Sequence, residues 1–295
     1  MSSLSNKMGL TLKGGNALQR LLLVNLGLFL FIRITFAVTS LFNVPVFSFH
    51  DVSSWIAIPS DTSQLLLRPW TVFTYMFYHW DLLHLLFNML WLYWMGAIIY
   101  EYLGAKKLFG IYVMGGLSGA LAYVIAFNTF PIFASSVNVS FALGASASVL
   151  AITVAAATLL PDYPVSLMFI GNIALKWIAV VSVLLDVINI SGDNAGGHIA
   201  HLGGALFGFI YIRSLQKGTN LTKWLEYLSD RFSGKRGRMS VAYTRKKSDE
   251  DFALHKKAKQ EQMDEILDKI NKSGYGSLSQ SEKDFLFKIS KEDQK

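Results

Sequence analysis

Three polar clusters interrupt an otherwise apolar sequence, and their residue types suit acyl transfer. The first is Gly144-Ala145-Ser146-Ala147-Ser148, a Gly-x-Ser-x turn that opens an apolar run ending at Pro161. A serine hydroxyl becomes a useful nucleophile only when a base takes its proton. Alone in a membrane helix, Ser146 reads better as a small residue for helix packing. The second cluster is His79-Trp80-Asp81-Leu82-Leu83-His84, followed by Asn88. His84 and Asn88 are four apart and so share one helix face. An imidazole and an amide can both donate to a developing oxyanion, or they can simply hold two helices together. The third cluster is Gly196-Gly197-His198-Ile199-Ala200-His201, with Gly204 and Gly208 beyond it. The two later glycines form a small-xxx-small face that admits another backbone closely. His201 precedes Gly204 on that face, so a helix meeting Ser146 there could bring an imidazole to it as general base. His198 lies nearer the helix end and reads as a structural polar contact. Asp186 and Asp193 have no motif reason to reach His201 and stay outside this site. His79, His84, His198 and His201 lack a His-Glu-x-x-His spacing and a neighbouring helical carboxylate, so neither a metal nor another cofactor is expected.

The elements that must position these groups are membrane helices. The chain has 295 residues, of which 52% are hydrophobic and 16% charged, and its mean hydropathy is +0.38. Long apolar runs set the class: an all-α, polytopic membrane protein. There is no cysteine, which excludes disulfides, a thiol nucleophile and cysteine metal sites. The first apolar run is too long for a signal-peptide core and is expected to remain as a helix. Six spans are predicted, at 20–38, 83–102, 108–127, 141–160, 168–188 and 196–215. They form a membrane domain over 20–215, preceded by an N-terminal segment, 1–19. A basic juxtamembrane segment, 216–260, and a small soluble helical hairpin, 261–295, complete the chain.

Orientation follows from lysine and arginine. Lys7, Lys13, Arg20, Lys106, Lys107 and the basic tail fall on one side, while the opposite loops hold little beyond Arg68. Both termini are therefore expected in the cytoplasm. Helices two, four and six then begin on the outer side, which puts His84, Asn88, Ser146 and His201 about 2–10 Å below one membrane face. Arg33 and Lys176 fall inside spans; Arg33 is read as a snorkelling anchor or an internal pair. The stretch 39–82, with Pro45, Pro59, Pro69, Trp55, Trp70 and Trp80, is expected to lie in the interface as a structured shoulder beside the site.

The pattern His-x4-His-x3-Asn in helix two, Gly-Ala-Ser-Ala in helix four and Ala-His-x-x-Gly-x3-Gly in helix six resembles the rhomboid intramembrane serine proteases. The resemblance covers about residues 20–215 and implies a six-helix bundle. It implies that Ser146 is the nucleophile and His201 its base, a dyad without a carboxylate. It further implies that His84, Asn88 and the Ser146 N–H line an oxyanion hole, and that Glu101 is a structural acid. Single-pass transmembrane proteins would be cut near the outer face, where helix-weakening residues such as glycine let the chain unwind. The competing reading is an inactive rhomboid-like protein that binds membrane clients. Three departures stand out. Trp70-Thr71 replaces a Trp-Arg pair, Ala147 follows the serine where many relatives have glycine, and Leu150 replaces an aromatic that stacks on the histidine.

Residues 221–232 read as an amphipathic helix with Trp224, Leu225, Leu228 and Phe232 on one face, suited to the inner membrane surface. Lys235, Arg236, Arg238 and Arg245-Lys246-Lys247 suit anionic headgroups, at about 1 kcal/mol each near the surface. No nucleic-acid motif accompanies that charge. Met263, Ile266, Leu267 and Ile270 follow helical spacing, Gly274-Tyr275-Gly276 breaks it, and Ser279-x-x-Glu282 is a capping box before Phe285, Leu286 and Ile289. The short ends and the lack of a transit peptide suggest a bacterial cytoplasmic membrane.

Overall fold

The computed structural model describes residues 16–42, 49–167, 171–232 and 262–285. They fall into two compact units, within 1–234 and within 235–295.

Helix α1 (Ala17–Leu41) starts at a reciprocal capping box: the Asn16 side chain accepts from the Gln19 N–H at 3.0 Å, and Gln19 accepts from the Asn16 N–H at 3.0 Å. Its twenty-five residues rise about 38 Å. One face buries Leu18, Leu21, Asn25 and Phe29, while Phe31 and Ile34 stay exposed on the other. A long exposed apolar face of this kind is stable only against lipid. Asn25 is wholly buried yet satisfied, donating to the Leu21 carbonyl and to the Tyr112 hydroxyl at 2.8 and 3.1 Å.

The proline- and tryptophan-rich stretch folds into short pieces: α2 (Phe49–Ile56), β1 (Ile58–Pro59), α3 (Thr62–Leu67) and α4 (Thr71–Thr74), then a tight turn over Tyr75–Phe77. Residues 43–48, including Pro45, lie outside the described residues. Arg68, not a residue at position 71, holds this shoulder. Its guanidinium sits 4.8 Å over the Trp55 ring and donates to the Ser54 carbonyl at 2.6 Å, while Trp55 stacks on Trp70. Arg33 is likewise paired internally, lying over Trp80 at 5.1 Å and Phe36 at 5.9 Å, which offsets the cost of a cation in an apolar helix.

Helices α5 (Leu82–Leu103) and α6 (Ala105–Thr129) join at Gly104, whose φ of 85° allows the sharp reversal. With α1 and α9 (Ala195–Gln216), they make four helices among the described residues that are long and apolar enough to cross a membrane. The other two predicted spans differ from expectation. In place of 141–160, Phe141–Ala142 forms β2, antiparallel to β1, and Gly144 turns at φ 112° before α7 (Ser146–Leu159) begins. In place of 168–188, a hairpin of β3 (Pro164–Leu167) and β4 (Gly171–Ala174) precedes α8 (Leu175–Ile188); residues 168–170 lie outside the described residues. Lys176 pairs with Asp162 beside this hairpin. Both helices have fourteen residues, about 21 Å each.

The short length of α7 follows from its surroundings. Ten of its fourteen residues are buried, so protein, not lipid, sheathes it, and its length need not match the hydrocarbon. Small residues make that possible. A Cβ at Gly204 would overlap the Ala147 carbonyl oxygen, and one at Gly208 would overlap that of Ala151. From the opposite side, Gly115 and Gly119 of α6 meet Ala151 and Ala147.

Helix α10 (Lys223–Phe232) follows, with Leu225 packed on the core and Trp224 and Leu228 exposed. The Phe232 side chain and the basic residues 235–247 lie outside the described residues. In the second unit a helix over 262–273 buries Ile266, and the capping box forms: Glu282 accepts from the Ser279 N–H at 2.6 Å. Leu286 and Ile289 lie outside the described residues.

Candidate active site

Ser146 is the first residue of α7, where the N–H groups of the first turn have no intrahelical partner. The approach is pinned at two points: the Gly144 N–H donates to the Tyr75 carbonyl at 3.0 Å, and the Ala145 N–H to His79 Nε2 at 3.2 Å. To accept, His79 must be neutral at Nε2. Its burial first, and then neighbouring His84, hold its pKa down to about 3. His79, the first residue of the second cluster, is thus the support of the turn.

His84 enters from α5, whose first turn is capped by Asp81 accepting from the His84 N–H at 3.0 Å. The imidazole lies against Gly144: a Cβ there would fall 2.6 Å from His84 Cε1. Positive φ and contact with an imidazole together demand glycine at this position. Asn88, 6% exposed, donates to the His84 carbonyl at 2.8 Å.

His201 comes from α9, brought up to α7 by the Gly204 contact with Ala147. Ser146, His201, Asn88, Trp91 and Leu150 line one cavity of about 300 Å³ at this end of the bundle. Ser148 does not line it. Its hydroxyl is fully buried without a partner and faces Gly116 of α6. Ala147 fits because its methyl meets Gly119.

A carboxylate that the sequence reading set aside is part of the same wall. Asp186 of α8 is 6% exposed. Its Oδ1 lies 2.8 Å from His201 Nδ1 and 2.7 Å from His198 Nδ1. The reading of His201 as a histidine without a carboxylate partner is therefore corrected. His198 is a polar contact, as expected, and its partner is Asp186. Asp193 is exposed in the α8–α9 turn, and Glu101 is exposed on the last turn of α5. The available signal for Asp186 was its placement as an ionisable residue inside an apolar segment.

Asp186, His198 and His201 also present one donor atom each within 4.8 Å of one another, a grouping able to hold a metal ion. The separations favour direct pairing, because both Nδ1 atoms already sit at hydrogen-bond distance from one oxygen.

The sequence profile described as the Rhomboid domain matches residues 67–217, and that of a family of unknown function matches residues 246–292. The chain is 38% identical over 68 residues to proteins named Rhomboid protease GlpG from Salmonella newport and Salmonella heidelberg, covering 23% of this chain and 24% of theirs. It therefore spans about a quarter of the length of these curated relatives.

Proposed function

This chain belongs to the rhomboid family, and on that premise we propose that it is an intramembrane serine endopeptidase using Ser146 and His201. It is an integral membrane protein; the activity is inferred from the site. The observation that carries the proposal is that Ser146, His201 and Asn88 line one cavity while His84 packs against the turn leading into Ser146.

In this reading His201 Nε2 takes the Ser146 hydroxyl proton as Oγ attacks the scissile carbonyl carbon. His84, Asn88 and the Ser146 N–H receive the charge that develops on the carbonyl oxygen. The proton then passes to the leaving nitrogen as the C–N bond breaks, and water hydrolyses the acyl ester by the reverse proton route. The substrates are single-pass transmembrane proteins cut near the outer face, with six spans and both chain termini on the cytoplasmic side. The basic residues 235–247 contact anionic headgroups, and the membrane is a bacterial cytoplasmic one.

The test is fluorophosphonate labelling of the purified full-length protein in detergent. Labelling of wild type that is lost in both Ser146→Ala and His201→Ala supports the reading. An unlabelled wild type beside an active rhomboid that labels would favour a client-binding protein without catalysis.

A further inference from the structure

We propose that Asp186 is a positioning residue for His201 and that His198 shares its carboxylate, so that this site works as a serine–histidine–aspartate relay with a second histidine. The inference rests on the reading of Ser146 and His201 as the reacting pair.

A carboxylate oxygen can only accept, and Asp186 Oδ1 lies 2.8 Å from His201 Nδ1 and 2.7 Å from His198 Nδ1. Each Nδ1 must then carry the hydrogen. A neutral His201 with its proton on Nδ1 has its lone pair on Nε2, the atom a base must present to Ser146. The contact selects the tautomer that general-base chemistry requires. It also places a negative charge beside the imidazolium that forms as Ser146 attacks.

Burial makes this pairing strong. At 6% exposure the Asp186 carboxylate has little water to satisfy it, and an unpaired buried charge is costly. Helix α7, packed on one side of α8, has no titratable side chain, and α9 supplies only His198 and His201 at this level. The two α9 imidazoles are thus the counter-groups of Asp186. They are three apart, on one face of the helix.

The same geometry accounts for Leu150, which stands where an aromatic would otherwise stack on the histidine. Leu150 lines the cavity with His201 and leaves the ring's orientation to Asp186. His198 competes for the same oxygen.

The experiment uses full-length protein in detergent with a fluorophosphonate probe, following the labelling rate at neutral pH. Variants are Asp186→Asn, Asp186→Glu and His198→Gln, with histidine-ring nitrogen spectra of ¹⁵N-histidine-labelled samples as a second readout. Asp186→Asn is expected to slow labelling by on the order of 10²–10⁴-fold, because an amide offers N–H and favours the wrong tautomer. The His201 nitrogen signals should change tautomer. Asp186→Glu should recover part of the rate, and His198→Gln should leave the Nδ1–H signal of His201 in place. The proposal is overturned if wild-type His201 carries its neutral proton on Nε2. It is also overturned if Asp186→Asn labels within twofold of wild type while Ser146→Ala and His201→Ala do not label. If wild type does not label but its His201 signals show Nδ1–H and change in Asp186→Asn, the positioning claim stands and the protease reading fails. Where Asp186→Asn does not fold, the wild-type spectra decide.

Discussion

The carbonyl oxygen of Ala147 occupies the space that a side chain at Gly204 would need. That contact sets the distance between α7 and α9, and with it the placement of His201 relative to Ser146. Replacement of Gly204 by alanine is an overpacking change in a tight interface and is expected to cost about 1–3 kcal/mol. Gly204→Ala should lower the thermal midpoint in detergent and reduce fluorophosphonate labelling together. Unchanged labelling would mean that α9 is held in place elsewhere.

Gly144 carries a φ of 112° and touches the His84 ring. Gly144→Ala imposes backbone strain of about 1–3 kcal/mol and pushes the imidazole aside. Labelling is expected to fall more than stability does, since His84 moves within the proposed oxyanion-binding region while the helices stay packed. A thermal midpoint measured beside the labelling rate checks this. Equal losses of both would assign Gly144 to the fold alone.

The N-cap of α5 is Asp81, whose side chain holds the His84 N–H. Asp81→Ala should cost about 1 kcal/mol and loosen the turn carrying His84. Asp81→Asn and Asp81→Ser, which retain a capping oxygen, should stay near wild type in a thermal melt. A melt in which all three variants match would remove the cap from the account.

His79 gives a pH dependence with a definite sign. Folded, its pKa is held down to about 3, against about 6.5 for a free imidazole. Between those values the unfolded chain binds more protons, so stability falls as pH drops from about 6.5 toward 3. His79→Gln keeps an acceptor for the Ala145 N–H and removes the titration. Its thermal midpoint should therefore vary less over that window than that of wild type. An identical slope in both proteins would place the acid sensitivity on other groups.

Ser148 is the serine to test against Ser146. Its hydroxyl is buried and unpartnered, so Ser148→Ala removes an unsatisfied group and should be neutral or stabilising by about 1 kcal/mol. Labelling should survive Ser148→Ala and vanish in Ser146→Ala. The reverse pattern would move the nucleophile to Ser148.

Local chemistry made much of this protein readable in one dimension. Hydropathy over long windows located α1, α5, α6 and α9, because a helix facing lipid must be apolar along its whole length. The Gly204–Gly208 spacing showed which face of α9 meets another backbone, because only glycine admits so close an approach. The clustering of Ser146, His201, His84 and Asn88 followed from charge asymmetry together with helical rise.

Three features were decided only by tertiary structure. Helix α7 is short because neighbours enclose it, and a hydropathy window cannot tell a helix sheathed by protein from one sheathed by lipid. The β1–β2 pairing joins Ile58 to Ala142, and such distant backbone partners leave no local pattern. Asp186 reaches His201 because the last turn of α8 faces the second turn of α9. That contact depends on how α8 is rotated about its own axis, and Lys176, Ser182 and Asp186 are too few polar residues in an otherwise apolar helix to fix its rotation. The residue types for a serine–histidine site are written in the sequence; the carboxylate that orients the histidine comes from how two helices pack.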